Sequence, residues 1–279
     1  MKIIQISDLH LVPDGQILYG LDPRERLRAC IAAINEQQQD ADFCVFTGDL
    51  ANAGRSEAYE VLRVCLETLQ VPYHLAIGNH DKRRNFLDVF PDVERDQDGF
   101  VQYALDFPGV RFLVLDTVEE GEHWGSYCAR RAAWLDVELR RSDGKPVYLF
   151  MHHPPFEIGV PSQDKLRIRD AHLFTEVVSG HPDIRHIFHG HVHRPVCGSW
   201  RGIPVSALRG TSHQVQLDLE TVEPIPLCHE PPAYAMILLR HDQTIVHYHD
   251  FLDKSAISET QASDYRSDQK IAGAVPASI

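Results

Sequence analysis

The sequence lacks long apolar runs, paired cysteines and an amino-terminal signal. Ala233–Leu239 is among its longest apolar stretches and falls far short of the roughly 20 residues that span a bilayer, so a transmembrane protein is excluded. The six cysteines form no C-x-x-C pair, and Cys30, Cys44 and Cys65 lie in apolar periodic segments. We therefore expect buried thiols rather than a disulfide framework. Without a signal pattern before the first strand, the cytoplasm is the expected location.

The chain also lacks an excess of positive charge. It carries 27 Lys and Arg against 40 Asp and Glu, a formal net charge of −13, which disfavours a nucleic-acid polymer as the partner. The net charge does not exclude a small anionic substrate, because a bound metal ion reverses the sign of the local electric field. In contrast, the 17 histidines far outnumber the 3 methionines and 3 tryptophans. Imidazole is the commonest protein ligand for transition metals, so the position of these histidines matters.

Short apolar runs alternate with segments of helical periodicity, which predicts an α/β fold. The strands predicted in this part are Lys2–Ile6, Phe43–Phe46, Tyr73–Ile77, Val147–Met151 and His186–Phe188. From Val196 onward the pattern favours strands, which suggests a second sheet packed against the first. These later strands are predicted at Pro204–Leu208, His213–Leu219, Ala235–Leu239 and Thr244–His249. We expect one domain over residues 1–253 and a polar, flexible tail over 254–279.

Candidate metal ligands lie just past the carboxyl ends of successive predicted strands. They are Asp8 and His10, then Asp49, then Asn79 with His80 and Asp81, then His152, and finally His191 with His193. Loops at the carboxyl ends of strands in α/β sheets converge on one crevice, so these side chains are expected to meet. Carboxylate, imidazole and carboxamide donors form a mixed shell suited to Mn, Fe, Co, Ni or Zn.

This donor set favours two metal ions rather than one. A carboxylate has two oxygens and is the side chain best able to bridge two cations. Two ions about 3.5–4 Å apart can hold a hydroxide between them for an in-line displacement at phosphorus. A single histidine such as His10 is more often structural than a ligand, and only the ordered set indicates a dinuclear site.

The ordered motifs resemble those of the calcineurin-like metallophosphoesterases over about residues 1–195. They are Asp8-Leu9-His10, Gly48-Asp49, Gly78-Asn79-His80-Asp81, His152 and Gly190-His191-Val192-His193. The resemblance implies a four-layer αββα sandwich of two mixed sheets flanked by helices, with a two-metal centre. By the same resemblance, Asp8, His10 and His193 hold the first metal, Asn79, His152 and His191 hold the second, and Asp49 bridges them. His80 would then lie beside the substrate phosphate, oriented by Asp81, with Asn79 also at the substrate.

Local motifs narrow the branch of the family that the chain resembles. Protein phosphatases of this type are expected to show GDxVDRG and GNHE, whereas this sequence has GDLANAGR and GNHD. Stretches around Tyr19, His152 and His213 look like the class III cyclic-nucleotide phosphodiesterases and their glycerophosphodiester relatives. The resemblance places Tyr19 and His213 near the substrate, and the alternatives are an ordinary loop aromatic and a surface histidine. His153 is expected to be structural, and the histidines outside the motifs to be solvated: His172, His181, His186 and His229.

The leading hypothesis is hydrolysis of a cyclic nucleotide such as 3′,5′-cAMP by a metal-bridging hydroxide, with His80 assisting the leaving oxygen. The enzymatic alternative is a glycerophosphodiester or phospholipid head group acted on by the same metal centre. Two further alternatives are a non-catalytic scaffold of this fold and a nuclease. The first is disfavoured because every ligand position carries a competent residue, and the second because of the negative net charge. The hydrophobic edge of the late strands is consistent with a homo-oligomer.

Overall fold

The computed structural model describes residues 1–255, and regular elements follow one another along them. The first part contains β1 (Lys2–Ile6), α1 (Pro23–Gln37), β2 (Phe43–Thr47), α2 (Ser56–Leu66), β3 (Tyr73–Ala76), α3 (Arg83–Val89), β4 (Tyr103–Phe107), β5 (Val110–Leu115) and α4 (Ala129–Arg140). The second part contains β6 (Val147–Met151), α5 (Pro161–Asp164), α6 (His172–Ser179), β7 (Ile184–His189), β8 (Val196–Trp200), β9 (Ile203–Ala207), β10 (Gln214–Val215), β11 (Leu227–Cys228), β12 (Tyr234–Leu239) and β13 (Thr244–His249). Of the predicted flexible tail, residues 256–279 lie outside the described residues.

The first large sheet has the strand order β13-β12-β1-β2-β3. Strands β1, β2 and β3 are parallel, and β12 pairs antiparallel with β1. All five residues of β2 are buried, as expected for a parallel strand covered on both faces. Helix α1 packs against α2, and α2 packs against α3, on the outer face of this sheet. Asp22 caps α1 by accepting from the Arg24 amide at 2.9 Å, and Pro23 begins the helix at a position where its missing N–H costs no hydrogen bond.

The second large sheet has the order β4-β5-β6-β7-β9-β8 and is also mixed. Alternating side chains of β5 show how it lies between two layers. Phe112 and Val114 join the core shared with the first sheet, whereas Leu113 and Leu115 join a second core with α4 and α6. Two mixed sheets therefore pack face to face with helices outside, which confirms the predicted α/β sandwich.

The late strands correct the sequence interpretation, because they form no large sheet of their own. Strands β8 and β9 extend the second sheet, while β12 and β13 extend the first. The strand predicted over His213–Leu219 is reduced to Gln214–Val215, since the Asp218 carboxylate accepts from the Glu220 and Thr221 amides and turns the chain. The predicted burial of Cys30, Cys44 and Cys65 is confirmed, and all three are free thiols.

Among residues 1–255, no helix combines the length and the apolar character that crossing a bilayer requires.

Candidate metal centre

The predicted ligands meet where the carboxyl ends of the two sheets adjoin. Asp8 and His10 follow β1, Asp49 follows β2, and the loops after β3, β6 and β7 contribute the others. Every predicted ligand except Asn79 is buried, and Asn79 is partly exposed. Both sheets therefore supply side chains to one cluster, as the positions at strand ends predict.

The backbone of this cluster is held in an unusual conformation. Five of its non-glycine residues have positive φ angles: Asp8 at 55°, His10 at 46°, Asp49 at 51°, His191 at 71° and His193 at 47°. Such left-handed residues cost about 1–3 kcal/mol each and persist only where the surrounding structure fixes them. Because five such residues lie at one edge, the surrounding structure must fix the backbone of this cluster and with it the positions of the side chains.

Two glycines allow the donors to approach the backbone closely. A Cβ atom at Gly48, whose φ is 99°, would lie 2.6 Å from Nδ1 of His152. A Cβ atom at Gly190 would overlap Ser7 Oγ and come within 3.3 Å of Asp8 Oδ2. Any side chain at either position would therefore push the cluster apart.

The first donor group consists of Asp8, His10, Asp49 and His193, whose ligand atoms all lie within 4.8 Å of one another. Nε2 of His10 lies 3.0 Å from Nε2 of His193 and 3.5 Å from Oδ2 of Asp49. Nε2 of His193 lies 3.5 Å from Oδ1 of Asp8. The spacing leaves these atoms around a common centre of the size that one cation occupies.

The second donor group contains His152, Asn79 and His191, again with Asp49. Nε2 of His152 lies 3.2 Å from Oδ1 of Asn79 and 3.3 Å from Oδ2 of Asp49. The ring of His191 lies 5.1 Å from that of His152 between centroids. Oδ2 of Asp49 therefore lies within 3.5 Å of a histidine nitrogen from each group, the position that a bridging ligand takes.

Hydrogen bonds to backbone carbonyls orient two histidines of the cluster for binding a cation. Nδ1 of His152 donates to the Thr47 carbonyl at 2.8 Å, and Nδ1 of His193 donates to the His213 carbonyl at 2.7 Å. Each neutral ring then presents the lone pair of Nε2 to the centre. Among residues 1–255, the buried atoms at the cluster that have no hydrogen-bond partner include Asp8 Oδ2 and His191 Nε2. The residues present thus fit a centre of two metal ions.

Charge interactions in the cluster favour a positive group between its members. Burial opposes ionisation of Asp49, yet His152, His80 and His10 hold the pKa of its carboxyl well below its usual range. Burial likewise disfavours a charged His152, but the neighbouring Asp49 raises the pKa of this imidazole to about 9. Both shifts have the same cause, since the buried Asp49 carboxylate favours positive charge beside it, which a bound cation would supply.

His80 lies beside the cluster, but its predicted orientation by Asp81 is wrong. Nδ1 of His80 donates to the Asn52 carbonyl at 2.7 Å, and its backbone amide donates to Asp49 Oδ1 at 2.8 Å. The buried Asp81 instead accepts from the Tyr59 hydroxyl at 3.0 Å and from three loop amides, those of Leu50, Ala51 and Gly78. Asp81 therefore holds the loops after β2 and β3 together and does not contact the His80 ring through a hydrogen bond. Burial, with the charge of Asp49, raises the pKa of Asp81 to about 6.

A cavity of about 460 Å³ opens above the cluster, and His10, Asp49, Asn79, His80 and His191 form its floor. Tyr19 and His213 also line it, with ring centroids 4.8 Å apart. The alternative of a surface histidine is wrong for His213, which is 5% exposed and packs against the rings of His10 and His193. Tyr19 is 54% exposed at the mouth of the cavity.

The structure shows contacts that the sequence interpretation missed. The Asn52 side chain also approaches Nδ1 of His10 at 3.2 Å, and its position three residues after Asp49 in the same loop was an available signal. Nδ1 of His123 lies 3.2 Å from the Asn79 amide nitrogen, although His123 follows no strand end and no local pattern indicated it. The prediction that His186 is solvated is wrong, because this residue is buried and its Nε2 lies 2.9 Å from the Ser206 hydroxyl.

His153, predicted to be structural, is buried against the second donor group. Its Nδ1 lies 2.7 Å from the Thr117 hydroxyl, and its ring lies 4.6 Å from that of His191. His152, His153 and His191 also form a group whose ligand atoms could hold an ion. The bond to Thr117 orients the ring, and Nε2 has no hydrogen-bond partner within residues 1–255, so the structural interpretation of His153 is not tested by these contacts and stays a prediction.

Comparisons with known proteins identify the family of the chain and proteins that share its fold. The model of the family described as calcineurin-like phosphoesterase matches residues 1–195. A probable cyclic nucleotide phosphodiesterase of Rhodopseudomonas palustris is 41% identical over 255 residues, 90% of this chain and 93% of the relative. A probable glycerophosphodiester phosphodiesterase of Arcobacter nitrofigilis is 29% identical over 259 residues, 91% and 94% of the two chains. A dimetal phosphatase from Danio rerio has a similar fold, with a TM-score of 0.70 and 17% identity over 90% of this chain and 96% of that one.

Proposed function

The chain belongs to the calcineurin-like phosphoesterase family, and on this premise we propose that it hydrolyses cyclic nucleotides such as 3′,5′-cAMP with two metal ions. The observation that carries the proposal is the position of Asp49 Oδ2 between two groups of buried donors, directly below a cavity. The relative from Rhodopseudomonas palustris supports the cyclic nucleotide as the substrate class.

Each predicted ligand has a distinct place in the proposal. Asp8, His10 and His193 would hold one ion, Asn79, His152 and His191 the other, and Asp49 both. The mixed nitrogen and oxygen donors suit Mn, Fe, Zn or Co. When bound, two such ions would lower the pKa of a water and neutralise charge on the phosphate.

The protein's own residues then position the substrate and move a proton. The Asn52 carbonyl fixes Nδ1 of His80, which leaves Nε2 as the ring nitrogen available at the cavity. As the phosphorus–oxygen bond to the leaving ribose oxygen breaks, a proton carried on Nε2 passes to that oxygen. Asn79 borders the same space and can donate its amide to a phosphate oxygen. Tyr19 and His213 flank the opening on the other side.

A glycerophosphodiester is the second candidate, since the relative from Arcobacter nitrofigilis carries that activity in its name and covers nearly the whole chain. The metal centre would serve either substrate, because both present a phosphodiester to the same floor. The difference between the two functions therefore depends on the part of the cavity that receives the rest of the substrate.

A substrate panel tests the proposal. The purified protein is loaded with Mn²⁺ and assayed with 2′,3′- and 3′,5′-cyclic nucleotides, glycerophosphocholine and phosphomonoesters. We expect the highest kcat/KM for a cyclic nucleotide. A preference for glycerophosphocholine would establish the second candidate, and a preference for monoesters would overturn the diesterase proposal as a whole.

A further inference from the structure

The cavity has an apolar wall facing its polar floor. Leu166, Val215, Ile225 and Leu227 line it together with the metal-centre residues. The irregular segment that joins β10 to β11 is called the strap (residues 216–226). Ile225 lies near the end of the strap, and Leu227 directly follows it. A charged phosphate gains no stabilisation from apolar side chains, so this wall is suited to another part of the substrate.

Gln163 is a buried polar side chain on the border of this wall. It belongs to the short helix α5, is 4% exposed, and lines the cavity. Its backbone amide donates to the Val160 carbonyl at 2.8 Å, and its side-chain carboxamide borders the cavity. A carboxamide at the border of a cavity can donate a hydrogen bond to a ligand there and accept one from it.

Contacts of Lys165, which we call the tie, hold the strap against the segment that carries Gln163. Lys165 forms an ion pair with Glu223, and its ammonium also donates to the Val222 carbonyl at 3.2 Å. Lys165 lies between Gln163 and Leu166, so this tie brings the apolar side chains of the strap to the same side of the cavity as the carboxamide. This side of the cavity therefore forms a slot that combines apolar side chains with the Gln163 carboxamide, a group that can both donate and accept, and the Lys165–Glu223 ion pair also borders it.

We propose that this slot is a nucleobase subsite in which the Gln163 carboxamide pairs with the edge of an adenine ring. The proposal rests on the proposed function and names the part of the substrate that the wall recognises. Adenine presents an amino donor beside a ring-nitrogen acceptor, which matches the acceptor and donor of a glutamine side chain. Its flat apolar faces would pack between Leu166 and the strap. A glycerophosphodiester offers no such ring.

The test compares Gln163→Leu with the wild-type holoenzyme on two matched substrates, 3′,5′-cAMP and the 3′,5′-cyclic phosphate of purine riboside, which lacks the amino group. We expect the wild type to prefer cAMP by about tenfold or more in kcat/KM and the variant to lose this preference. The control variant is Gln243→Leu, an exposed position far along the chain that should keep it. Equal preference in Gln163→Leu and wild type would overturn the subsite while leaving the proposed function intact.

A binding measurement separates the subsite from catalysis. Adenosine, which has no phosphate, is titrated calorimetrically into each protein, and we expect Gln163→Leu to bind it about tenfold or more weakly than wild type. If wild type does not hydrolyse cAMP but shows this difference, the subsite stands and the proposed function fails. If adenosine binds both proteins equally, the subsite is overturned. Should Gln163→Leu fold poorly, Leu227→Ser at a 40% exposed position of the wall replaces it, with the same expected weakening and the same overturning result.

Discussion

The floor and the strap wall of the catalytic cavity are built in opposite ways. Floor residues such as His10 and Asp49 are buried in the loops that follow central strands. The strap has almost no regular structure, and its Leu217, Leu219 and Val222 are each more than half exposed. On the floor each donor contacts several others, whereas Lys165, directly after α5, holds the strap through Glu223 and Val222. A substitution on the floor should therefore affect the chemistry of every substrate, and one on the wall should change which substrate is preferred.

Asp49→Asn should have the largest effect, because it removes the charge shared by both donor groups. We expect kcat to fall by about 10³-fold or more, beyond the 10–100-fold typical of changes outside the ligand shell, for every diester tested. Elemental analysis should show less bound metal per chain. The matched control is Asp218→Asn on the exposed strap, which should leave both quantities unchanged. Near-normal turnover by metal-loaded Asp49→Asn would contradict the bridging role.

His80→Ala should have the next largest effect and should spare metal content, since His80 has no place in either donor group. A lost general acid lowers kcat by about 10²–10⁴-fold. The loss should be greater for an alkoxide leaving group than for 4-nitrophenolate, which departs without a proton. Equal losses for the two leaving groups would argue against proton transfer by His80 and leave only a role in phosphate binding.

Tyr19→Asn separates the mouth of the cavity from its floor. Asn tolerates the left-handed backbone that Tyr19 adopts at φ 49°, so the variant removes the ring with little strain. If the ring contacts the substrate, KM for cAMP should rise about fivefold or more while kcat and metal content stay near wild type. A fall in metal content would instead assign Tyr19, through His213, to the support of the first donor group.

Lys165→Met should have the smallest effect, because the Glu223 partner is exposed and water screens such pairs. We expect KM for cAMP to rise by less than about fivefold, with kcat unchanged. In wild type, about 0.5 M NaCl should reproduce most of this rise by screening the same pair. A large fall in kcat would show that the strap supports the floor, and the distinction drawn between the two regions would then be wrong.

The part of the site that could be predicted from the sequence is the part fixed by neighbours along the chain. Asp8 and Asp49 could be placed because a strand end determines where the next side chains point, and parallel strands end at one edge. The partner of His80 could not be placed in this way. Asp81 is its neighbour in sequence, but the loops after β2 and β3 bring the Asn52 carbonyl to the ring and direct Asp81 to backbone amides.

The late strands illustrate the same limit at the level of the fold. Alternating hydrophobicity identified β9, β12 and β13 as strands, because that pattern is local. It could not assign them to a sheet, since β9 pairs with β7 of one sheet and β12 pairs with β1 of the other. Strand pairing depends on partners more than a hundred residues apart in the second case, and no local pattern carries that information.

The sequence by itself determined the kinds of donor and their order, and these sufficed to indicate a dinuclear metal centre. Only the tertiary structure decided which groups face each other: Asp49 Oδ2 between two histidines, and Gln163 at the cavity beside the strap. The physical reason is that ligand chemistry belongs to each side chain alone, whereas distance and burial arise when both sheets and the strap pack around one cavity.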